Sequence, residues 1–390
     1  MNVKYLIIGA GPAGLGAGWE LNRLQQNDFL IIEKESYIGG LSASFKDENG
    51  FFWDLGGHVL FNNDSLLAKL SKNLLFKKIK SFKRKAAIYL DGKFIPYPFQ
   101  DNYPVDQLAN KFKYPKNFKQ WLYITFGKNQ AEIFFIPQNE KSWVFPLNKM
   151  NFDWIAKRIK TLKDKTKNWG ANARFLYPQS GGIGFLWEKI SQEFKEKIIL
   201  NSEVKTIDEL KKEATLINNK KINYQYLITS MPLDLLVNKL ANKQISKFGL
   251  KLKHNHGLII GLGIKGKLKT NLHWLYLPEK KYPFFRIVFN SNLSQAKPDY
   301  CSLTLEISNG QYHDEIENLN LFDGEIISKF EKKVPYFYPI PTLDRDKNLK
   351  IINKYLLENQ IFPIGRFGTW KYEEGNMDDA FEQGAKAIKD

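Results

Sequence analysis

The sequence predicts an α/β fold, α+β overall. A discontinuous Rossmann-like dinucleotide-binding domain carries an inserted helical subdomain and an antiparallel β-sheet subdomain. Three observations predict it. The first forty residues hold a strand, a glycine turn, a helix and a second strand in immediate succession. From about Asp101 to Lys167 apolar residues recur at helical spacing, and from about Met231 to Thr342 short strand-like runs dominate.

Lys4-Tyr5-Leu6-Ile7-Ile8 is an apolar strand that runs into Gly9-Ala10-Gly11-Pro12-Ala13-Gly14, followed by a helix from Leu15 to Leu24. Phe29-Leu30-Ile31-Ile32 is the second strand and ends at Glu33. The glycines let the backbone turn tightly and approach a pyrophosphate, which rests on the helix N-terminus. Glu33 stands where a carboxylate accepts hydrogen bonds from the ribose hydroxyls of an adenosine. A signal peptide would share the early lysine and apolar run, but not the glycine spacing with an acid closing the second strand.

Ile38-Gly39-Gly40-Leu41-Ser42 is a second glycine turn, and Phe52 to Phe61 reads as a strand, a glycine loop and a re-entering apolar segment. Ile88 to Ile95 is a β-hairpin with Asp91-Gly92 as a type I′ turn, and Pro96 to Gln100 continues as an extended aromatic segment. Helical repeats follow at 117–126, 130–135 and 152–160. Gly181-Gly182-Ile183-Gly184 opens another helix, and Ser202 to Ile207 and Tyr226 to Ser230 are strands. Gly257–Ile264, Trp274–Leu277, Arg286–Phe289 and Ser302–Ile307 form the antiparallel sheet. Phe362 to Gly368 is a last strand and turn, before a helix from Met377 to Ile388. The implied division is 1–84, 171–230 and 343–390 for the dinucleotide domain, 101–170 for the helical subdomain, and 85–100 with 231–342 for the sheet subdomain.

With 390 residues, 43% of them hydrophobic, the chain can bury a large core. The single cysteine, Cys301, excludes an intramolecular disulfide and fits a reducing cytoplasm. No apolar run approaches the ~18 residues that span a bilayer, so a soluble protein without a membrane span is expected. The formal charge of +17 comes from lysines spread along the whole chain, with no basic arm or nucleic-acid motif, so no nucleic-acid partner is expected. Against that lysine bias the few arginines are informative, because a planar bidentate grip on phosphate needs a guanidinium. Arg84, Arg174, Arg286 and Arg366 lie in aromatic or glycine-rich segments and are site candidates; Arg23 and Arg158 read as helix-surface residues.

The chain resembles the UDP-galactopyranose mutase family, closer to its eukaryotic branch though at bacterial length. The resemblance is carried by Gly56-Gly57-His58-Val59-Leu60-Phe61, Pro96-Tyr97-Pro98-Phe99-Gln100, Pro137-Gln138-Asn139 with Trp143, and Asn168-Trp169-Gly170. It continues through Trp274-Leu275-Tyr276, Pro283-Phe284-Phe285-Arg286, Tyr338-Pro339-Ile340-Pro341-Thr342-Leu343, and Gly365-Arg366-Phe367-Gly368-Thr369-Trp370-Lys371-Tyr372 with Gly375-Asn376. It implies noncovalent FAD, active when reduced, with NAD(P)H as a possible reductant. The reaction it implies is redox-neutral isomerisation of a nucleotide sugar between UDP-galactopyranose and UDP-galactofuranose, of the kind used in cell-surface polysaccharide synthesis. A homo-oligomer is compatible with it.

The resemblance also implies residue roles. Gly9, Gly11, Gly14, Glu33, Gly39, Gly40, Leu41 and Val204 hold the ADP half of FAD, and Gly57, His58, Arg84, Gly365, Arg366, Asn376 and Met377 lie along the flavin. Arg286 grips the substrate diphosphate with Tyr276, Tyr338 and Tyr372; His58 and Arg366 complete the catalytic group. Tyr97, Phe99, Gln100, Phe134, Asn139 and Trp143 form the uridine pocket, and Trp274 borders the sugar. Asn376 also reaches substrate. Two positions depart from the eukaryotic pattern: Ser180 replaces a second diphosphate arginine, with Arg174 six residues upstream, and Leu293 replaces a tyrosine. A mutase for another nucleotide sugar is therefore an alternative. An FAD oxidoreductase of the amine-oxidase or protoporphyrinogen-oxidase type, which shares the nucleotide-binding architecture, is a second.

Overall fold

A computed structural model describes residues 1–61, 64–104, 114–156, 174–294, 298–312 and 316–388. The expected Asn168-Trp169-Gly170 segment and the end of the helix expected over 152–160 lie outside the described residues.

Two seven-stranded sheets carry the chain. In the first, Ile198–Ile199, Phe29–Ile32, Asn2–Ile8, Lys221–Thr229, Glu213–Leu216 and Val204–Asp208 lie in that order, and Ile361–Pro363 also pairs with Lys221–Thr229. The central pairings are parallel, and Tyr5 to Ile8 align with Phe29 to Ile32 on one side and Tyr226 to Thr229 on the other. These strands are apolar along their whole length because both faces are covered, as parallel sheets require. In the second sheet the order is Phe322–Ile340, Lys253–Leu268, Tyr300–Ser308, Arg286–Val288, Trp274–Tyr276, Ala86–Leu90 and Lys93–Pro96. Its strands are antiparallel except that Trp274–Tyr276 runs parallel to Ala86–Leu90.

The first helix spans Pro12–Arg23, three residues earlier than its apolar repeat suggested. Proline suits a first helical position, where its missing N–H is an orphan anyway. This helix packs against Met377–Lys386 with no room between backbones. A Cβ at Gly384 would lie 1.9 Å from the Ala13 carbonyl oxygen, and one at Gly16 would lie 2.1 Å from that of Phe381. Asn376 and Asp379 form a capping box at the start of the closing helix.

Asp91 and Gly92 both take positive φ, 48° and 73°, as the hairpin turn requires. Three local expectations are corrected. The segment 96–100 is extended only to Pro98, and Phe99–Asn102 is a helical turn whose Phe99 is pulled inward by Phe134 and Tyr103. The stretch from Met231 begins with two helices, Leu233–Lys239 and Lys243–Gly249, which cover the first sheet rather than extend the second. Residues 131–135 widen into a π-type turn between the Phe118–Gln130 and Ile136–Trp143 helices. The core of this helical region is aromatic: Phe99, Phe118, Trp121, Phe126, Phe134, Phe135, Trp143 and Trp154 pack together.

Candidate active site

The parallel strands of the first sheet end in register at Ile8, Ile32, Thr229 and Pro363, so Gly9, Glu33, Ser230 and Gly365 emerge along one sheet edge. Ligands of such sheets bind at the carboxyl ends of strands. Gly9 takes φ +101° and donates its N–H to the Ile32 carbonyl at 2.8 Å. A Cβ at Gly14 would lie 1.9 Å from the Gly9 oxygen, so this glycine is what lets the helix reach the strand. Glu33 accepts the Ala10 N–H at 2.7 Å and the Glu35 N–H at 2.9 Å, which fixes its carboxylate at the strand end. The second turn has Gly39 at φ +96° and Gly40 at +53°, and the Gly39 N–H donates to the Ala10 carbonyl at 2.8 Å.

These groups open on a cavity of about 400 Å³. Of the residues expected to hold cofactor, Gly9, Gly11, Glu33, Gly40, Leu41, His58, Val204, Gly365, Arg366 and Met377 line it. Gly14 and Gly39 act behind the wall, through the contacts just described. Asn376 uses its side chain to cap the closing helix. Ser230, Lys239, Lys332 and Tyr336 also line the cavity, and no local sequence pattern marks them.

The second sheet builds the other half of the site by register alone. Tyr276 pairs with Arg286, and Arg286 pairs with Glu306, so one row across three strands presents a phenol, a guanidinium and a carboxylate on one face. Trp274 lies two residues along the same face and is buried. Arg286 makes a fork to Glu306, Nε to Oε1 at 3.0 Å and Nη2 to Oε2 at 2.7 Å. Glu306 Oε1 also accepts the Gly57 N–H at 2.8 Å, so one fully buried carboxylate orients the arginine and tethers the Gly56-Gly57-His58 turn. Sequence reasoning missed Glu306, which reads as one residue in an apolar strand. Burial works against the Arg286 charge, but the Glu306 carboxylate outweighs it and the pKa stands well above its ordinary value.

His58 sits against this row. Burial first, then the Arg366 and Arg286 cations, lower its pKa to about 3, so the ring is neutral at pH 7. Below pH 6.5 the unfolded chain takes the proton that the folded chain refuses, so stability is lost as pH falls from 6.5 toward 3. We expect the melting temperature of the flavin-loaded protein to drop more steeply between pH 6.5 and 4.5 than that of its His58→Asn variant. Parallel curves would show that the ring is not held neutral.

Aromatic side chains wall the remaining space. Arg84 lies 4.7 Å over the Tyr97 ring, which stacks on Tyr276 at 5.2 Å, so Arg84 stands with the phenols. Trp143, Tyr338 and Tyr372 meet pairwise at 5.1 to 5.5 Å, and Trp154 closes on Trp143 and Tyr372. Burial pushes the Tyr97 and Tyr338 phenols far up, so they remain neutral donors. Arg366 lies 5.3 Å over the Tyr372 ring and donates Nε to the Gly375 carbonyl at 3.0 Å. The neighbouring Glu373 is gripped by buried Arg345, Nη2 to Oε1 at 2.8 Å, which pins this segment to the Arg345–Glu358 helix.

Phe99 and Phe134 are buried against each other at 4.7 Å as packing residues, and Gln100 is buried beside them. Asn139 spends its amide on the Phe135 carbonyl at 2.7 Å and on Trp143 Nε1 at 3.0 Å. Arg174 opens the exposed end of the Arg174–Pro178 strand, paired with Lys83. That strand stays extended, so Arg174 lies about 13 Å short of Pro178, and Ser180 stands beyond it. Arg174 therefore does not occupy the position of Ser180. Leu293 is buried in the core with Trp274 and Val288.

Residues 7–73 match the family model for an NAD(P)-binding Rossmann-like domain. A crystal structure of reduced UDP-galactopyranose mutase superposes with a TM-score of 0.91 and 31% identity, covering 100% of this chain and 93% of that one. The chain belongs to the UDP-galactopyranose mutase family. Cyclohexylamine oxidase from Brevibacterium oxydans shares the fold, with a TM-score of 0.74 at 14% identity over 100% of this chain and 98% of its own. A flavin-containing amine oxidase from Oncorhynchus mykiss is 23% identical over 287 residues, 64% of this chain and 54% of the relative. The flavin-containing amine oxidase A from Sus scrofa is 30% identical over 103 residues, 26% of this chain and 19% of the relative. The chain thus spans about half or less of the curated relatives it matches.

Membership of the UDP-galactopyranose mutase family makes this chain a flavoprotein with FAD as its cofactor. The residues present fit that group: two glycine turns that a Cβ would obstruct, a fixed carboxylate at the second strand, and a cavity continuing to His58 and Arg366. No described helix is long and apolar enough to cross a membrane.

Proposed function

We propose that this flavoprotein interconverts UDP-galactopyranose and UDP-galactofuranose without net oxidation. The observation that carries the proposal is the Tyr276–Arg286–Glu306 row, joined through Glu306 to the Gly57–His58 turn beside the FAD cavity. An amine or porphyrinogen oxidase has no need of a pre-oriented guanidinium ringed by phenols, whereas a departing nucleoside diphosphate does.

Bound FAD, when reduced, supplies a nucleophilic N5 for the anomeric carbon of the sugar. The rest falls to the protein. Arg286 keeps Nη1 clear of any protein partner among the described residues, and this donor with the Tyr276, Tyr338 and Tyr372 hydroxyls takes the diphosphate. Negative charge grows on the phosphate oxygen as the sugar bond breaks, so donors fixed in advance stabilise that moment more than the bound substrate. Neutral His58 adds no charge beside the reacting centre. Trp274 borders the sugar, and Tyr97, Gln100, Asn139 and Trp143 shape the uridine end. In this reading 1–84, 171–230 and 343–390 hold FAD, 101–170 holds the nucleoside, and 85–100 with 231–342 holds the diphosphate.

The test is to incubate the purified flavin-loaded protein with UDP-galactofuranose, with and without dithionite, and to separate the sugars by chromatography. We expect UDP-galactopyranose only in the reduced sample. Turnover independent of reduction, or none, would overturn the proposal. Ser180 and Leu293 motivate a panel of other nucleotide sugars in the same assay; a stronger preference for one of them would reassign the substrate.

A further inference from the structure

We propose that Lys141 is a positioning residue for substrate, clamping the hairpin that carries Tyr276 and Arg286 onto the helix that carries Asn139 and Trp143. The inference rests on the nucleotide-sugar reading above. Its basis is a cluster that the site chemistry does not use.

Lys141 lies on the Ile136–Trp143 helix, half-buried, and its ammonium donates to three backbone carbonyls: Leu277 at 2.5 Å, Glu279 at 3.0 Å and Phe284 at 2.9 Å. All three belong to the connection between Trp274–Tyr276 and Arg286–Val288. Gln138, one turn earlier on the same helix, donates Nε2 to the Phe285 carbonyl at 3.0 Å. One helix face therefore grips four carbonyls of an eleven-residue span whose two ends are Tyr276 and Arg286. On the same helix Trp143 reaches the aromatic wall, and its Nε1 donates to Asn139 Oδ1.

The donor count explains why a lysine stands here. An ammonium has three N–H bonds and three acceptors face it, so every proton is used. A neutral amine has two, and would leave one buried carbonyl unpaired with a lone pair turned toward it. The charged groups facing Lys141 are few. Glu279 from the connection favours the ammonium, and is itself shared with Lys281 at 2.8 Å; Glu140 neighbours it on its own helix. Burial opposes the charge and lowers the Lys141 pKa to about 7, against the pull of the Glu279 carboxylate.

Bringing Tyr276 and Arg286 to the diphosphate while Trp143 meets the nucleoside requires the two elements to keep a fixed separation. A misplacement of about 1 Å costs binding and rate far from the altered residue. Structural loss alone would reduce folded, flavin-loaded protein without changing how that fraction binds substrate.

The experiment compares Lys141→Met, which keeps the stem and removes the donors, with Lys141→Arg and Gln138→Leu in flavin-loaded protein. It reads FAD content, the KM and kcat for UDP-galactofuranose under dithionite, and the Kd for UDP-galactopyranose. For Lys141→Met we expect normal FAD content, KM and Kd raised about tenfold, and kcat reduced less than threefold. Arginine should fall between, because its planar fork keeps the charge but cannot point three donors at a tripod of carbonyls. If Lys141→Met does not fold, Gln138→Leu tests the same joint and should raise Kd severalfold. A flavin-loaded variant at either position with wild-type KM and Kd overturns the clamp. Failure of the wild type to bind or turn over the nucleotide sugar overturns the functional reading instead.

Discussion

Replacing Arg286 by alanine is expected to lower kcat/KM by roughly two orders of magnitude, on the order of 3 kcal/mol of transition-state stabilisation, while FAD stays bound. The size follows from the charge that a leaving diphosphate develops in a site with little water. The variant has a second consequence that the pairing makes explicit. Glu306 is fully buried and loses its bidentate partner, keeping only the Gly57 N–H, and an orphaned buried carboxylate destabilises the fold. Arg286→Ala alone therefore mixes a catalytic loss with a structural one. Adding Glu306→Gln separates them, because the amide needs no counter-charge and can still accept from Gly57. We expect the double variant to recover thermal stability relative to Arg286→Ala and to recover little activity. Wild-type kcat/KM in folded, flavin-loaded Arg286→Ala would remove the arginine from the mechanism.

How much of this was legible in the sequence depended on whether a feature is local. The Gly9-to-Glu33 unit is local, since its strand, turn, helix and acid follow one another, and the structure places Gly9, Gly11 and Glu33 on one cavity. The row Tyr276–Arg286–Glu306 is not, since strand register decides which residues meet. Arg286 stood out as an arginine in a lysine-rich chain, but nothing near Glu306 tells that it will pair across a strand. The same holds for Lys141 and Arg345, whose partners lie more than a hundred and about thirty residues away respectively. The strand Phe322–Ile340 escaped notice because its exposed half mixes Lys329, Glu331, Lys332 and Lys333 with apolar residues, and Pro335 interrupts it. It is an edge strand paired only to Lys253–Leu268, where charge and proline are tolerated. Phe99 and Phe134 show the opposite case, in which residues named by a motif match pack against each other in the structure.

The glycines of the first turn, alike in the motif, are expected to fail in different ways when replaced by alanine. At Gly14 the new Cβ would fall 1.9 Å from the Gly9 carbonyl oxygen, which is backbone and cannot swing aside. The helix must retreat from the strand, at a cost of about 1–3 kcal/mol. That retreat also withdraws the helix N-terminal N–H groups from the pyrophosphate. Gly14→Ala should therefore lower the melting temperature of flavin-free protein as well as its FAD content. Gly11 has φ −77° and ψ −178°, an ordinary extended backbone, and its Cβ would come no closer than 3.8 Å, to Gly40 Cα. The protein has room there, so its methyl would point into space that only the cofactor needs. Gly11→Ala should leave the melting temperature of flavin-free protein unchanged and still purify with little FAD, read from the ratio of flavin to protein absorbance. A Gly11→Ala protein that keeps full FAD would place the pyrophosphate away from this residue. A Gly14→Ala protein with unaltered flavin-free stability would show that the strand and helix can part without cost.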